Sequence, residues 1–227
     1  VRDGDVRLGE WFDGKADALV SISPAEPDVT VAHGRAATGD DVDRAVAAAR
    51  AAARHWARTP AHERGAVLAR AAAVVESSAS RWGAELAREE GKTRGEGVAE
   101  VLRAAQILRF YGGEGDREAG EVFASPRRGE QILVARKPVG VVGVVPPFNS
   151  PIAIPAWKIA PALTYGNTVV WKPAGTVPLL AMRLVQALAD AGLPPGVLNL
   201  VIGGREVGAG IADHPGIDAL TFTGSTA

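Results

Sequence analysis

A single asparagine sits among three prolines in Pro146-Pro147-Phe148-Asn149-Ser150-Pro151. Prolines stiffen a backbone, and a stiff loop can hold one side-chain amide in a fixed direction. A fixed amide donor is what a carbonyl oxygen needs when negative charge builds on it. Further on, Trp171-Lys172-Pro173-Ala174-Gly175 carries one cation suited to a ribose hydroxyl or a phosphate. Phe222-Thr223-Gly224-Ser225-Thr226 reads as a strand running into a helix start. The exposed N–H groups and dipole of such a start suit a pyrophosphate. Gly203-Gly204-Arg205-Glu206-Val207-Gly208 is a fourth glycine-rich turn, without the G-x-G-x-x-G spacing of a dinucleotide fingerprint. Taken singly, these segments are equally a rigid turn with a capping asparagine, a solvated lysine and two ordinary helix caps.

The elements that carry the four segments bring them together. Apolar runs predict strands at 140–145, 167–171, 197–201 and 218–222, and helices at 152–164, 178–191 and 205–213. Strictly alternating strands and helices predict a parallel α/β sheet with helices over both faces. Every one of the four segments follows a strand. All therefore fall at one end of the sheet, where open α/β sheets bind their ligands.

Upstream, residues 1–37 read as short extended pieces with turns at Asp13-Gly14 and Ser23-Pro24. Thr38 with Asp41 three residues on is a helix-start pattern. The helix that follows places Val42, Ala45, Val46, Ala49 and Ala53 on one face. A second helix starts with Pro60 in its first position and buries Val67, Leu68, Ala71, Val74 and Val75. A third runs from Ser80 to Glu90 and stops at Gly91. A fourth runs from Glu96 to Tyr111 with Val98, Val101, Leu102, Ala105, Leu108 and Phe110 mostly inward. Glu96 and Glu100, one turn apart on it, read as a solvated charged face. Residues 130–136 form an exposed strand flanked by charge and ended by Pro138.

Composition removes several classes of function. The 227 residues have a formal net charge of −1, which argues against nucleic acid or an anionic membrane as partner. The most apolar run, Val139 to Val145, is far shorter than the about 20 residues of a membrane span. Asp3, Asp5, Glu10 and Asp13 give the first residues an acidic character unlike a signal peptide. With no cysteine, the sequence has no disulfide, thiolate metal site or cysteine nucleophile, and a cytoplasmic location is expected. The histidines, 33, 55, 62 and 214, have no i, i+4 pair, so no metal is expected. Ser225 has no evident histidine or aspartate partner for a serine triad.

Read in order, the segments resemble the aldehyde dehydrogenase superfamily. The likeness runs from about Thr38 onward. It is carried by Pro138 to Val145 with Asn149 and Pro151, by Trp157-Lys158-Ile159-Ala160-Pro161-Ala162-Leu163, and by Gly166-Asn167-Thr168-Val169-Val170-Trp171-Lys172-Pro173-Ala174. Ala191-Gly192-Leu193-Pro194-Pro195-Gly196-Val197-Leu198-Asn199, Phe222 to Thr226, and Glu90-Gly91-Lys92 also match. The resemblance implies a Rossmann-like parallel sheet with flanking helices, an N-terminal helical region and a short oligomerisation arm. It implies a helical part of the cofactor domain over 1–120, the arm over 121–139 and the NAD(P)-binding core over 140–227. It also implies NAD(P)⁺-dependent oxidation of a small-molecule aldehyde to an acid by a homo-oligomer, dimeric or tetrameric.

In that family Asn149 would stabilise the oxyanion and Lys158 would lie on a proton path. Val145, Pro146, Pro147 and Phe148 would line the cofactor cleft with Asn149. Lys172 would contact the adenosine ribose beside Ala174 and Gly175. Gly204 and Gly208 would sit on the cofactor, and Phe222, Thr223, Gly224 and Ser225 would reach its pyrophosphate. The family's cysteine nucleophile and general-base glutamate follow the Phe-Thr-Gly-Ser motif, past these 227 residues. A truncated sequence without its catalytic domain is therefore expected; a non-catalytic nucleotide-binding or scaffold fragment is the alternative. Gly175 stands where a glutamate often binds the ribose 2′-hydroxyl, so NADP⁺ is allowed as well as NAD⁺. Phe148 and Ser150, with the short Gly203-Gly204 turn, lean toward members that take aromatic aldehydes.

Overall fold

The computed structural model describes residues 6–7, 16–117 and 120–225. The Asp13-Gly14 turn and any helix start at Thr226 lie outside them.

Helix α1 (Gly39–Arg58) begins where Asp41 accepts hydrogen bonds from the Thr38 N–H and hydroxyl, at 2.7 and 2.8 Å. These satisfy groups that the first turn cannot pair internally. Near its other end the buried Trp56 indole donates to the Leu163 oxygen at 3.0 Å. Helix α2 (Ala61–Ser77) starts one residue after the place the sequence predicts, with Pro60 as its cap rather than its first helical residue. Helix α3 (Ala79–Glu90) stops at Gly91, whose φ of 92° is left-handed and suits glycine. Helix α4 (Arg94–Gly112) opens on a reciprocal Thr93–Glu96 cap.

Two expectations for α4 fail. Phe110 is 53% exposed, stacked edge-on against Tyr111 under the Arg117 guanidinium. Glu100 is buried, because it shares the stripe of Gly97, Val101, Ala104 and Leu108 that packs inward.

Strands β1 (Val6–Arg7), β2 (Ala18–Ile22) and β3 (Thr30–Arg35) form a small sheet in the order β1-β3-β2. Strands β4 (Gly120–Ala124) and β5 (Gln131–Ala135) form an antiparallel hairpin. The sequence pattern predicts only the second of these two. The central unit then alternates: β6 (Val141–Val145), α5 (Ala153–Thr164), β7 (Thr168–Trp171), α6 (Leu179–Asp190), β8 (Leu198–Leu200), α7 (Arg205–Asp213) and β9 (Ala219–Phe222). Its strands pair in parallel in the order β8-β7-β6-β9. This is the expected Rossmann-like α/β arrangement.

Val141, Val144, Val169, Val170 and Trp171 are fully buried, as strands covered on both faces require. Helix α7 lies close on one face: a Cβ at Gly143 would come within 2.8 Å of Ile211. Helix α1 packs beside α7, while α5 and α6 are backed by α2, α3 and α4. Among the described residues no helix is long and apolar enough to cross a membrane.

Candidate functional site

Strand register sets the site. Val144 pairs with Trp171, Trp171 with Leu200, and Val145 with Phe222. The ladder continues one step past the strands: Lys172 N donates to Val144 O at 2.9 Å, Val201 N to Trp171 O at 2.9 Å, and Thr223 N to Val145 O at 3.1 Å. The loops after all four strands therefore leave one edge together. The chain travels outward through β6, β7 and β8, then returns to the far side of β6 as β9. Connections thus diverge between β6 and β9, the kind of crevice in which open α/β sheets bind ligands. The loop holding Asn149 borders it on one side and the loop holding Gly224 on the other.

The Asn149 loop is rigid from below and open above. Pro146, Pro151 and Ile152 are buried, while Phe148 and Asn149 are exposed. Asn149 is not a cap: among the described residues its side-chain amide makes no hydrogen bond. Capping falls instead to Glu100, whose Oε1 accepts from the N–H groups of Ile152 and Ala153 at 3.1 and 3.2 Å. Its Oε2 accepts from Lys92 Nζ at 2.5 Å, and the same Nζ lies 3.3 Å from the Asn149 backbone oxygen. Glu90 stands 3.4 Å from Lys92 as well. Burial works against the Lys92 ammonium, but Glu100 and Glu90 outweigh it and hold its pKa above the usual lysine value. In the sequence the Glu90-Gly91-Lys92 match touches this cluster, whereas Glu100 reads there as part of a solvated face.

Lys172 is half-buried rather than solvated. Desolvation pulls its pKa down, partly countered by Glu206. A Cβ at Gly208 would stand 3.6 Å from Lys172 Cδ, and one at Gly175 3.5 Å from the Gly203 oxygen. The lysine stem thus lies along a surface kept low by glycines. Ala174 is half-buried beside them, and exposed Gly204 caps α7. Lys158 Nζ donates to Thr221 Oγ1 at 2.8 Å, tying α5 to β9, and burial lowers its pKa. Val145 is half-buried at the strand end, while Phe222, Thr223, Gly224 and Ser225 are exposed, with the Phe222 ring folded toward Gly224.

The residues singled out from the sequence thus form two groups. Lys172, Gly175, Gly204 and Gly208 gather over β7, β8 and α7. Val145 to Asn149, Lys158 and Phe222 to Ser225 gather along β6, α5 and β9. Both groups lie at one edge of the sheet.

Known proteins share this arrangement. The model of the aldehyde dehydrogenase family matches residues 11–227. An alpha-ketoglutaric semialdehyde dehydrogenase of Bacillus subtilis is 43% identical over 219 residues, 96% of this chain and 45% of the relative. A 2,5-dioxopentanoate dehydrogenase of Saccharolobus solfataricus is 41% identical over 96% of this chain and 46% of its own length. The crystal structure of an NADP-dependent glyceraldehyde-3-phosphate dehydrogenase from Bacillus halodurans, complexed with NADP, superposes with a TM-score of 0.88 at 36% identity. That superposition covers 96% of this chain and 47% of the other. The chain spans about half the length of the curated relatives it matches. With nearly every residue inside the family pattern and the expected sheet edge in place, this chain belongs to the aldehyde dehydrogenase family.

Proposed function

We propose that this chain supplies the dinucleotide-binding and oxyanion-stabilising part of an enzyme that oxidises an aldehyde to a carboxylic acid with NAD⁺ or NADP⁺. The observation that carries this is the crevice between β6 and β9, with the unpaired Asn149 amide on one border and the Gly224-Ser225 turn on the other. The dinucleotide, when bound, supplies the hydride acceptor. Lys172 holds ribose hydroxyls, with Ala174, Gly175, Gly204 and Gly208 leaving room beside it. Val145, Pro146, Pro147 and Phe148 wall the cleft, and Thr223, Gly224 and Ser225 face the pyrophosphate from beyond Phe222. Gly175 sets no carboxylate against a 2′-phosphate, which supports use of NADP⁺ alongside NAD⁺.

Asn149 donates its side-chain amide to the substrate oxygen as negative charge develops there. Lys158, with its depressed pKa and its bond to Thr221, relays a proton from the cleft. These 227 residues hold no cysteine, so none of them supplies a thiolate nucleophile.

Relatives named for α-ketoglutaric semialdehyde and 2,5-dioxopentanoate support a substrate with an aldehyde at one end and a carboxylate at the other. They lend no support to the aromatic preference read from Phe148 and Ser150. The β4–β5 hairpin, with Val122 65% and Leu133 73% exposed, is the arm that a second copy of the protein covers. Location in the cytoplasm completes the proposal.

In the whole enzyme, Asn149→Ala should lower kcat about 10²-fold or more, the scale of one lost oxyanion donor. An unchanged kcat, with chemistry shown to limit turnover, would remove Asn149 from this role.

A further inference from the structure

The N-terminus of α5 has an unusual cap. Its N-cap residue is Ile152, whose side chain cannot accept a hydrogen bond, and Pro151 before it has no N–H. Asn149 and Ser150 are the residues of this loop that ordinarily cap helices. Neither side chain is spent that way. The two free N–H groups go to Glu100, more than 50 residues earlier on α4. Lys92, just past α3, bridges Glu100 to the Asn149 backbone oxygen. A helix start is thereby pinned from a separate layer, and the loop's amide is left free for chemistry.

We propose that Lys92 and Glu100 are positioning residues for the Asn149 amide: together they fix the backbone from 149 to 153 and so set the direction of the oxyanion donor. The proposal rests on the role given to Asn149 above. Three observations converge on it. The Glu100 side chain is 7% exposed and all of its described partners lie at this loop or on Lys92. The Lys92 side chain is 15% exposed, with the Glu100 and Glu90 carboxylates both within reach. A negative side chain at a helix N-terminus is favoured electrostatically, so the cap is cohesive as well as hydrogen-bonded. Their described contacts with the loop are to its backbone, not to the Asn149 side chain. Their effect passes through the loop, where a displacement of about 1 Å in a catalytic group is enough to cost about 10²-fold in rate.

The test is a double-mutant cycle in the whole enzyme, with amide exchange as a second readout. Lys92→Met and Glu100→Gln should each lower kcat by about 10-fold or more with little change in the KM for aldehyde or dinucleotide. Lys92→Arg should restore most of the loss. In an Asn149→Ala background neither variant should lower kcat further, because the donor they aim is gone. In the 227-residue chain, Lys92→Met should speed hydrogen exchange at Ile152 and Ala153 while leaving β6 and β7 protected.

Equal losses with and without Asn149 would overturn the proposal and make the pair a general structural support. So would unchanged kcat in both single variants. If Asn149→Ala itself left kcat unchanged, the oxyanion reading would fall first and the proposal with it. Lys92 lies at the rim of the cluster, so its variant carries the test if Glu100→Gln does not fold.

Discussion

Helices α5 and α6 both start after proline-bearing loops at the site edge, and both have their first N–H groups taken by a glutamate from the helical layer. At α5 the glutamate is Glu100; at α6 it is Glu89, whose Oε1 accepts from Leu179 N at 2.8 Å. Each carboxyl is buried where the helix dipole is positive. Their surroundings differ in one respect. Glu100 has the Lys92 ammonium at 2.5 Å. Glu89 has no paired cation among the described residues, and its Oε2 has no hydrogen-bond partner. Burial pushes the Glu89 carboxyl up to about 8, against the Leu179 and Leu180 amides and the Ser21 hydroxyl, which favour the charged form. The same cap is thus built with a counter-charge beneath the proposed oxyanion loop and without one beneath the proposed ribose loop. A cluster tied together by an ion pair and charge-assisted hydrogen bonds is costly to break, and that cost is what holds a loop to one geometry.

The largest predicted difference is in stability. Glu100→Ala takes the nearer carboxylate from half-buried Lys92, leaving it only Glu90, and strands two amides; it should cost about 3–5 kcal/mol in chemical denaturation. Glu89→Ala strands no charge and should cost about 1–3 kcal/mol. Equal costs would erase the contrast between the two caps.

A second difference lies in pH. Unfolded, Glu89 loses its proton near 4.5; folded, it keeps it to about 8. Between those values the unfolded state binds fewer protons, so this group's contribution to stability is complete below the lower value and falls as pH rises through the upper one. Thermal midpoints measured across that window should decline more steeply for the wild-type chain than for Glu89→Gln. Parallel curves would mean that Glu89 is ionised in the fold and that the caps are alike.

The smallest effect concerns specificity at the α6 side. Gly175→Glu should weaken NADP⁺ by about tenfold through repulsion of the 2′-phosphate, while sparing NAD⁺. Equal loss for both would place the ribose elsewhere than beside Gly175.

The sheet was legible because strands buried on both faces leave continuous apolar runs such as 141–145 and 168–171, and because loop chemistry marks their ends. The strand-end positions of Asn149, Lys172 and Gly224 were legible for the same reason. The caps were not. Glu89 and Glu100 resemble any glutamate on a charged helix until a distant helix start is placed against them, and sequence spacing carries no trace of a contact 52 residues away. Strand β4 escaped notice because Gly120-Glu121-Val122-Phe123-Ala124 has no clear alternation, and its order comes from pairing with β5. Phe110 misled because it stands half a turn around the helix from Val101, on the exposed face with Arg103 and Gln106.

Calorimetric titration of the 227-residue chain with NAD⁺ and NADP⁺ addresses the crevice itself. One-to-one binding that weakens in Lys172→Ala and is abolished when Gly208→Val fills the groove beside that lysine is the expected result. A folded chain that takes up neither dinucleotide, or binds equally well in both variants, would contradict the assignment of this edge.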